Sequence, residues 1–459
     1  MDLRQYLALA IGKLAQFMLK ISGSGATAAP GLIALKIDPN LVKKLSSKIP
    51  QGSIIISGTN GKTTTARLIF DMLSKNYAIV HNRQGSNLMR GIASALISKA
   101  NPTGNIKADL AVWEIDEATL PQAIDSTNPK TIVLLNLFRD QLDRYGEVEI
   151  TRKKWQEALT NLPKETTLIL NADDPGIASL SKITKAKMVT FGIKDHKISR
   201  GNQTGVLDIK SCPICQGKLD YKSYTLGHLG EYLCTKCGFK KPNLQLFASD
   251  IDQAKDFSTS MNLVLGAKKI KIKYKLPGIY NAYNILASAA VGQTYALSPK
   301  DIAKSTENFS PVFGRFQSVQ IGNKSVLIFL IKNPTGANEV VKVLSQQSAL
   351  NLLVILNDNF ADGRDVSWIW DTKWEALSQK TKKLTISGTR AWDMATRLKY
   401  ANFNLSKNNV YEQIETSIEA ATTALSNNDT LVILPTYTAL MPVEKSLSKY
   451  TKIVKWHKQ

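Results

Sequence analysis

The hydrophobic positions of this chain fall into two recurring patterns: short uninterrupted apolar runs, and longer stretches in which apolar residues recur at helical spacing. Between Ile54 and about Phe191 the runs are IIISG, ADLAVWEID, TIVLLNL, TLILNADD and KMVTFG. A second series begins near Val319 with SVLIFLI, NLLVILND, KLTISG and TLVILP. Such alternation predicts an α/β protein in which helices cover parallel strands and ligands gather beyond the carboxyl ends of those strands.

The same pattern divides the 459 residues into segments. We predict a helical lead-in over residues 1–45, a central domain over 46–313 with an insertion at 206–243, and a C-terminal α/β domain over 314–459. A chain of this length is sufficient for two or three domains, each with its own core.

The first residues of the chain predict one amphipathic helix, because apolar side chains recur at helical spacing. These side chains are Leu3, Leu7, Ile11, Leu14, Met18 and Ile21. We expect the helix to pack on the protein body, and contact with a membrane surface is the alternative. Lys13 and Gln16 interrupt the apolar part, which argues against a signal peptide. The chain has no run of eighteen apolar residues, so a membrane-spanning helix is not expected.

Lysine and arginine outnumber aspartate and glutamate by 59 to 37, which gives a formal net charge of +22. This excess indicates an anionic partner, such as a nucleotide, a phosphorylated substrate, an acidic membrane surface or nucleic acid. The basic residues are scattered, and no basic motif interleaved with aromatic residues occurs among them. We therefore expect no nucleic-acid partner.

All four cysteines lie in one segment, as two C-x-x-C pairs separated by eighteen residues. The four residues are Cys212, Cys215, Cys234 and Cys237. Two such knuckles offer four thiolates to one tetrahedral Zn²⁺, and four protein ligands leave no open position for catalysis. We predict a structural zinc ribbon, with a pair of disulfides as the alternative that an oxidising compartment would favour. With zinc bound, no cysteine remains free to act as a nucleophile.

The first apolar run leads into GTNGKT at residues 58–63 and then into a helical pattern. Strand, glycine-containing loop and helix together predict a phosphate cradle, in which Lys62 supplies a positive charge and the Thr63 hydroxyl binds Mg²⁺. The usual G-x-x-x-x-G-K-[ST] loop would have a glycine at Ile56. Here the first glycine is Gly58, so the loop is shorter than usual.

Polar side chains follow two further strands at the point where each strand ends. Glu114 closes one apolar run, and Asn136, Asp140, Gln141 and Asp143 follow the next. A carboxylate at such a position can complete a Mg²⁺ shell together with a hydroxyl and phosphate oxygens. Each residue taken singly could instead be a helix N-cap or a surface acid. Their occurrence after a phosphate loop favours a shared nucleotide site.

These motifs together resemble the Mur ligase family, which builds the peptidoglycan stem peptide by ATP-dependent amide formation. The resemblance covers residues from about 50 to 320, and the short phosphate loop is the variant that this family uses. It implies a central ATP-binding domain with a parallel sheet. The segments that carry it are GTNGKTT, Glu114, N-x-x-x-D-x-x-D-R-Y at 136–145, NADDP at 171–175, Asn281-x-x-Asn284 and Gly314-Arg315.

The resemblance implies a role for each matched residue of the loop. Lys62 would neutralise the transferred phosphoryl group, and Thr63 and Glu114 would bind Mg²⁺. The residues that would surround the ATP phosphates are Gly58, Thr59, Asn60, Gly61, Lys62, Thr63 and Thr64.

The same resemblance extends the nucleotide site beyond the loop. Asn281 and Asn284 occupy positions that contact adenine in the family, Arg315 a position that reaches the phosphates, and Lys332 a position near the nucleotide. Two further positions depart from the family pattern. Gln141 stands where many members have a metal-binding histidine, so the resemblance does not imply a second Mg²⁺ bound directly at this position. The carbamoylated lysine of the family is matched by Lys154 or Lys153.

Four further segments resemble one subfamily, the MurT ligase subunits of lipid II isoglutaminyl synthases. They are FRDQLDRYGE at 138–147, the four-cysteine insertion, KNPTGANEV at 332–340 and NDNFADGRDVSWIWD at 357–371. This resemblance implies amidation of the α-carboxylate of D-glutamate in the stem peptide of lipid II, giving D-isoglutamine. It also implies a heterodimer with a GatD-like glutaminase that supplies ammonia, and a cytoplasmic chain acting at the cytoplasmic face of the membrane.

An acidic, tryptophan-containing segment is the candidate surface for docking the glutaminase. It contains Trp368 and Trp370 as possible interface anchors. The resemblance favours Asp365 as the acid that orients the catalytic histidine of the partner. The alternative is an acidic loop beside buried tryptophans. The acids of this segment are Asp358, Asp362, Asp365 and Asp371.

Three other functions compete with an amidating ligase. A ligase that adds glutamate to folate would share the ATP-binding core but has no need for the cysteine insertion and the acidic segment. A zinc-ribbon NTPase that binds nucleic acid would explain the charge, but would not explain Asn281, Asn284 and Arg315. A non-catalytic scaffold would not need the intact phosphate loop.

Overall fold

The computed structural model describes residues 2–21, 28–82, 86–139, 148–198, 207–310 and 315–450. Within these ranges the strands form a nine-stranded sheet, a six-stranded sheet and a two-stranded sheet. Helices alternate with the strands of the two large sheets. The predicted α/β class with parallel sheets is confirmed.

The nine-stranded sheet forms around the phosphate loop. Its strands are β1 Ser53–Ser57, β2 Ile79–His81, β3 Leu110–Glu114, β4 Pro129–Leu134, β5 Thr167–Asn171, β6 Lys187–Ile193, β9 Leu246–Gln253, β10 Thr259–Leu265 and β11 Lys268–Tyr274. Their order is β11-β10-β9-β6-β5-β4-β1-β3-β2. Along this order, every neighbouring pair from β9 to β2 is parallel. At the other edge, β10 is antiparallel to both β9 and β11. The five quoted apolar runs correspond to β1, β3, β4, β5 and β6.

Strand β1 lies in the middle of this sheet, between β3 and β4. Its successive side chains point to opposite faces, and both faces are covered. Ile54 and Ile56 join one buried cluster, whereas Ile55 joins the other. A strand buried on both sides reads as a continuous apolar run rather than an alternating one. The carboxyl ends of β1, β3 and β4 therefore meet at one edge, where the loop begins.

Helices cover both faces of this sheet and form the start of the chain. Their bounds are α1 Leu3–Ile21, α2 Ala29–Ile37, α3 Leu41–Ser46, α4 Lys62–Leu73, α5 Met89–Lys99, α6 Leu120–Thr127, α7 Val148–Thr160, α8 Pro175–Ser179, α9 Ile279–Thr294 and α10 Pro299–Glu307. The cysteine-rich insertion forms an antiparallel hairpin of β7 Leu219–Leu226 and β8 Leu229–Cys234.

The six-stranded sheet forms the second half of the chain. Its strands are β12 Arg315–Ile321, β13 Lys324–Phe329, β14 Leu350–Ile355, β15 Thr381–Ser387, β16 Val410–Tyr411 and β17 Thr430–Pro435, in the order β12-β13-β17-β14-β15-β16. The accompanying helices are α11 Pro334–Leu344, α12 Glu375–Ser378, α13 Ala391–Tyr400, α14 Ile414–Thr423 and α15 Leu440–Leu447. The domain limits given above stay predictions.

The amphipathic pattern at the start of the chain forms helix α1, which packs on α2 and α5. The face that packs carries small residues rather than the apolar stripe. Ala8, Leu9 and Gly12 are buried, and a Cβ at Gly12 would lie 2.8 Å from Cδ1 of Ile97. The helix packs on the protein body as expected, but its apolar stripe is exposed. The exposed members are Leu3, Leu7, Ile11, Leu14, Met18 and Ile21.

Candidate functional site

The phosphate loop joins the end of β1 to the start of α4, whose first residue is Lys62. Free amide groups at a helix N-terminus attract anions. Gly61 has φ +92°, and a Cβ at this position would lie 2.0 Å from Oδ1 of Asn284 on α9. Both the backbone conformation and the neighbouring helix therefore require glycine at this point of the loop.

The ammonium group of Lys62 is buried inside the loop. It donates to the carbonyl oxygens of Gly58 at 2.6 Å and Thr59 at 3.3 Å, and pairs with Oε2 of Glu117 at 2.8 Å. Burial alone would lower the pKa of Lys62, but the negative charges of Glu117 and Asp116 outweigh it and raise the pKa above its ordinary value. The group therefore carries its charge at neutral pH.

The predicted magnesium ligands Thr63 and Glu114 lie side by side. Oγ1 of Thr63 donates to Oε1 of Glu114 at 2.8 Å. Asn82 holds the end of β3 by accepting from the backbone N–H of Glu114 at 3.0 Å and donating to its carbonyl oxygen at 2.8 Å. A hydroxyl and a carboxylate beside a phosphate loop form the oxygen donor set that Mg²⁺ prefers, so these residues fit that ion.

Asn136 ties the end of β4 to the loop through a reciprocal pair of hydrogen bonds. Its Oδ1 accepts from the backbone N–H of Asn60 at 2.8 Å, and its Nδ2 donates to the carbonyl oxygen of Asn60 at 3.0 Å. The side chain thus supports loop geometry. This contact does not exclude a further contact with a ligand, because Asn136 also lines the adjoining cleft.

The six-stranded sheet contacts the loop directly. Nζ of Lys332 donates to the carbonyl oxygen of Thr59 at 3.2 Å, which is the oxygen that also accepts from Lys62. Nδ2 of Asn333 donates to Oδ1 of Asn60 at 3.0 Å. Two positive side chains from opposite parts of the chain therefore meet at one point of the loop, where they can neutralise phosphate oxygens.

A cleft of about 840 Å³, counted with its open mouth, lies between the two large sheets. Asn60, Gly61 and Thr64 form its loop end. Its lining on the other elements is Asn136, Phe138, Leu226, Leu229, Tyr280, Asn281, Tyr283, Asn284, Phe316, Phe329, Leu330, Lys332, Thr335, Gly336, Glu339 and Val340. Polar groups at one end and aromatic rings beyond them suit a nucleotide.

The two asparagines predicted to contact adenine both line this cleft from α9. Nδ2 of Asn281 donates to the carbonyl oxygen of Pro277 at 2.7 Å, and Nδ2 of Asn284 donates to Oδ1 of Asn281 at 3.1 Å. Thr65 donates to Oδ1 of Asn284 at 3.4 Å. These bonds connect α9 with the phosphate-loop helix and fix the orientation of both amides.

The tip of the β7–β8 hairpin forms part of the cleft wall, which the sequence did not predict. His228 at the tip is fully buried, and its ring centroid lies 4.7 Å from that of Phe138. Nε2 of His228 lies 3.3 Å from Oδ2 of Asp174, and Nδ1 lies 3.9 Å from Oδ2 of Asp208. Burial lowers the pKa of His228, but the charges of Asp174 and Asp208 raise it above its ordinary value.

The four cysteines lie at the other end of this hairpin and converge on one point. Their sulfur atoms all lie within 4.8 Å of one another. Cys212 and Cys237 are separated by 3.6 Å between sulfur atoms, and Cys215 and Cys234 by 3.5 Å. A tetrahedron with Zn–S bonds of about 2.3 Å has edges of roughly 3.8 Å. Disulfide sulfurs lie about 2 Å apart. The cluster therefore fits a metal ion and not two disulfides.

The acidic segment separates into engaged and exposed carboxylates. Asp358 pairs with Arg390, Asp362 is buried against Thr438, and Asp371 pairs with Arg139 of the central sheet region. Asp365 is exposed, and its Oδ1 accepts from the backbone N–H of Ser367 at 2.8 Å. Hydrogen bonding by Ser367 holds the pKa of Asp365 below its ordinary value.

The two tryptophans of this segment differ in exposure. Trp370 is 51% exposed, and its ring meets Tyr400 edge to face with centroids 5.6 Å apart. Trp368 is half-buried and packs against the core of the six-stranded sheet. An exposed aromatic side chain close to Asp365 is compatible with an interface anchor.

Some predicted positions lie outside the described residues. These are Asp140, Gln141, Asp143, Gly314 and the side chain of Arg315. Lys153 and Lys154 are both exposed on α7, so the structure does not distinguish between them as the match to the modified lysine.

Several residues of the site were not predicted from the sequence. Glu117 has a local signal, because it is a third carboxylate in the motif WEIDE. His228 and Asn333 have weaker ones, since each acts through a partner far away in the chain. Asn333 also caps α11 by accepting from the backbone N–H of Gly336 at 2.9 Å.

Comparison with known proteins agrees with this geometry. The family model for the Mur ligase middle domain matches residues 56–232, and that for the MurT ligase C-terminal domain matches residues 330–440. A pseudomurein peptide ligase type C from Methanothermus fervidus has the same fold, with a TM-score of 0.65 and 21% identity over 89% of this chain and 80% of that one. Fold and phosphate loop thus define a ligase of the Mur type.

Two curated relatives identify the branch of this class. The MurT subunit of lipid II isoglutaminyl synthase (glutamine-hydrolyzing) from Staphylococcus aureus strain COL is 36% identical over 97% of this chain and 98% of its own length. The MurT subunit from Streptococcus pneumoniae strain R6 is 32% identical over 98% of both chains. The chain belongs to the MurT family of Mur ligases.

Proposed function

We propose that this chain is the ATP-dependent ligase subunit of a lipid II isoglutaminyl synthase. It converts the α-carboxylate of D-glutamate in the stem peptide of lipid II into the amide of D-isoglutamine. The observation that carries this proposal is the similarity to MurT subunits over 97% of the chain. The complete phosphate loop, in which Lys62 pairs with Glu117, and the polar and aromatic lining of the adjoining cleft support it further.

The chemistry requires two successive displacements. A carboxylate oxygen of the substrate attacks the γ-phosphorus of ATP, and the bond from that phosphorus to the β,γ-bridging oxygen breaks, giving an acyl phosphate and ADP. The lone pair of ammonia then attacks the acyl carbon, the bond from carbon to the phosphate oxygen breaks, and the nitrogen loses a proton. The products are an amide, phosphate and ADP.

The residues of this chain position and neutralise the phosphates. Lys62 and Lys332 place two ammonium groups at the loop, where negative charge accumulates on the transferred phosphoryl oxygens. Thr63 and Glu114 would hold Mg²⁺, which supplies Lewis-acid stabilisation of the phosphates when bound. Asn281 and Asn284 would contact the adenine end of the nucleotide, and Arg315 would contact the phosphates.

We assign glutamine hydrolysis to a separate polypeptide that forms a heterodimer with this chain. Glutamine hydrolysis commonly uses an activated cysteine or an N-terminal nucleophile. All four cysteines of this chain are grouped in one metal-type cluster. The names of the relatives describe one subunit of a glutamine-hydrolysing synthase, which supports a partner of this kind.

We further propose that Asp365 contributes to the glutaminase site of that partner. An exposed, ionised carboxylate held in place by Ser367 can accept from the Nδ1–H of a catalytic histidine and stabilise its charged form. The other acids of the segment are engaged within the chain. Asp365 is therefore the carboxylate that remains available for a partner.

The remaining assignments concern the metal and the place of the reaction. The four cysteines would bind a structural Zn²⁺. Among the described residues, no helix is both long and apolar enough to cross a bilayer. We place the reaction at the cytoplasmic face of the membrane, because ATP and glutamine are available there and the lipid II headgroup can reach that side.

The test is amidation of purified lipid II by this chain with its glutaminase, ATP, Mg²⁺ and ¹⁵N-amide glutamine, followed by mass spectrometry. We expect one ¹⁵N in the stem peptide. Lys62→Met should reduce the rate at least about a hundredfold, because a charge that stabilises the transferred phosphoryl group is lost.

Lys304→Met is the matched control, since it removes the same charge from an exposed position of helix α10. Incorporation of ¹⁵N without ATP, or a Lys62→Met complex as active as the control, would contradict the proposed function.

A further inference from the structure

Helix α1 exposes an unusual amount of apolar surface for a helix that is packed on a protein. Its side chains of Leu14, Phe17 and Met18 are 57%, 62% and 62% exposed. Tyr6, Leu7 and Ile11 add exposures of 51%, 44% and 41%. At about 100° per residue, these positions cover an arc of about 140° on one side of the helix. Scattered exposed apolar residues are ordinary, but a continuous stripe marks an interaction surface.

The opposite side of the helix explains why the stripe points outward. The packed face carries Ala8, Leu9 and Gly12, which allow close approach to α2 and α5. Lys13 and Gln16 fix the rotation of the helix by donating to the carbonyl oxygens of Ile97 at 3.0 Å and Ser94 at 2.8 Å. The helix is therefore held with its apolar stripe directed away from the protein.

Basic residues border this stripe, and acidic residues are missing from it. On the helical wheel Arg4 lies on one border and Lys20 on the other, and both are exposed. Neither α1 nor α2 contains an acidic residue. Residues 1–50 contain seven lysines and arginines but only two aspartates. An apolar stripe with basic borders is the pattern of a helix that lies in the interface of an anionic membrane.

We propose that α1, together with Leu32 and Ile33 exposed on α2, binds the surface of an anionic phospholipid bilayer. The apolar stripe enters the boundary between headgroups and acyl chains, while Arg4 and Lys20 contact lipid phosphates. The α1 helix lies in the plane of the interface and does not span the bilayer. Only the purpose of this contact, access to a lipid-linked substrate, depends on the proposed function, because the binding itself requires no substrate.

The test is co-flotation of the full chain with substrate-free vesicles of phosphatidylglycerol or of phosphatidylcholine. We expect binding to phosphatidylglycerol that weakens with added salt and is much weaker for phosphatidylcholine. Leu14→Glu combined with Phe17→Glu should reduce binding at least about tenfold, since burial of large apolar side chains supplies the insertion energy. Met441→Glu is the matched control, because Met441 is 60% exposed on α15.

The oligomeric state of the same proteins distinguishes a membrane from a second copy of the chain. Equal flotation of the double variant and the control would overturn the proposal, as would absence of wild-type flotation with phosphatidylglycerol. A wild-type dimer that the double variant makes monomeric, without flotation, would assign the stripe to self-association. Loss of flotation by the double variant, with unchanged amidation of a water-soluble stem-peptide substrate, would support the proposal. Unchanged amidation would also show that the loss of flotation is not a failure of the proposed function.

Discussion

At the scale of single residues, the buried basic side chains Lys62 and His228 each have a specific carboxylate partner. Lys62 has Glu117 at 2.8 Å, and His228 has Asp174 at 3.3 Å. In both cases burial opposes the charged form and the nearby carboxylate outweighs it, so the pKa is raised. A lysine held in its charged form can neutralise phosphate, whereas a charged histidine at the hairpin tip stabilises the cleft wall.

His228 predicts a pH dependence of stability. Because its pKa is higher in the folded chain than in the unfolded chain, its stabilisation is complete below the unfolded value of about 6.5 and is lost as pH rises through the folded value. His228→Asn should lower the free energy of unfolding by about 3 kcal/mol at pH 6, since one partner of a buried pair is removed.

The measurement is chemical denaturation of wild type and variant from pH 6 to pH 9. The difference in unfolding free energy between the two proteins should shrink as pH rises. His196→Asn is the control, because that histidine is exposed and lies outside the hairpin. A difference that grows with pH would contradict the assigned charge of His228.

The sequence revealed the site residues whose role is encoded locally. Lys62, Thr63 and Glu114 stand in recognisable strand-end motifs, and the structure brings them together. The pairing of Lys62 with Glu117 and of His228 with Asp174 could not be predicted in the same way. Lys62 and Glu117, 55 residues apart, meet because parallel strands align their carboxyl ends. His228 and Asp174, 54 residues apart, meet because the tip of the β7–β8 hairpin packs beside the end of β5. No periodic pattern marks either pair.

At the scale of elements, the β7–β8 hairpin links the cysteine cluster to the nucleotide cleft. Cys234 ends β8 at the cluster, while Leu226 and Leu229 at the opposite end line the cleft. Thr225 and Tyr283 are joined by a hydrogen bond of 2.6 Å, which connects the hairpin with α9. A metal at the cluster would therefore support the cleft through the hairpin.

We predict that loss of the metal lowers stability and weakens ATP binding. Cys234→Ser should lower the melting temperature and raise the KM for ATP several-fold, because the hairpin tip would lose its support. Its effect on kcat should be smaller, since Lys62 and Thr63 are held by other elements. Metal analysis should give one zinc per wild-type chain, and kinetics at saturating lipid II give KM and kcat.

Ile214→Ser is the control for this variant, because Ile214 lies between two cysteines but is 49% exposed and is not a ligand. Metal-free protein with full stability would show that the cluster is not a structural zinc site. A Cys234→Ser protein with lowered stability and an unchanged KM would separate the hairpin from the nucleotide site.

Most strands and helices could be predicted from the apolar pattern, but the face that each one packs against its neighbours could not. The run IIISG predicted β1 correctly because both faces of a central strand are buried. The apolar stripe of α1 predicted the helix but not its orientation. The orientation follows from small residues on the opposite face, which allow closer packing against neighbouring helices. A search for apolar periodicity does not detect such small residues.

At the scale of the whole molecule, the two large sheets meet at the phosphate loop. Lys332 and Asn333 bond to Thr59 and Asn60. Since the cleft lies between the sheets, its shape depends on this contact. The relative position of the sheets could not be predicted from the sequence, because it depends on a few hydrogen bonds between residues more than 270 positions apart.

Asn333 offers a specific test of this contact. Asn333→Ser can still cap α11, but its side chain is too short to reach Asn60. We expect the KM for ATP to rise about fivefold, which corresponds to one hydrogen bond of about 1 kcal/mol. Asn333→Ala should give the same KM but a lower melting temperature, because the cap is lost as well. An unchanged KM in both variants would show that closure of the sheets does not shape the ATP site.

The central claim, that this chain makes the amide while a partner releases the ammonia, is tested most directly by Asp365→Asn. The measurement is lipid II amidation by the assembled mutant complex with glutamine and, separately, with ammonium. Asp358→Asn is the control, because it removes the same charge from a carboxylate that is paired with Arg390. Both variant complexes should assemble and bind ATP.

The account predicts that Asp365→Asn lowers the glutamine-dependent rate by roughly two to four orders of magnitude, the loss expected when the acid of a catalytic triad is neutralised. Ammonium should restore much of the product, because the acyl-phosphate site is unchanged. Equal loss with both nitrogen sources would assign Asp365 to the ligase site. No loss with either source would contradict a glutaminase site shared between the two chains.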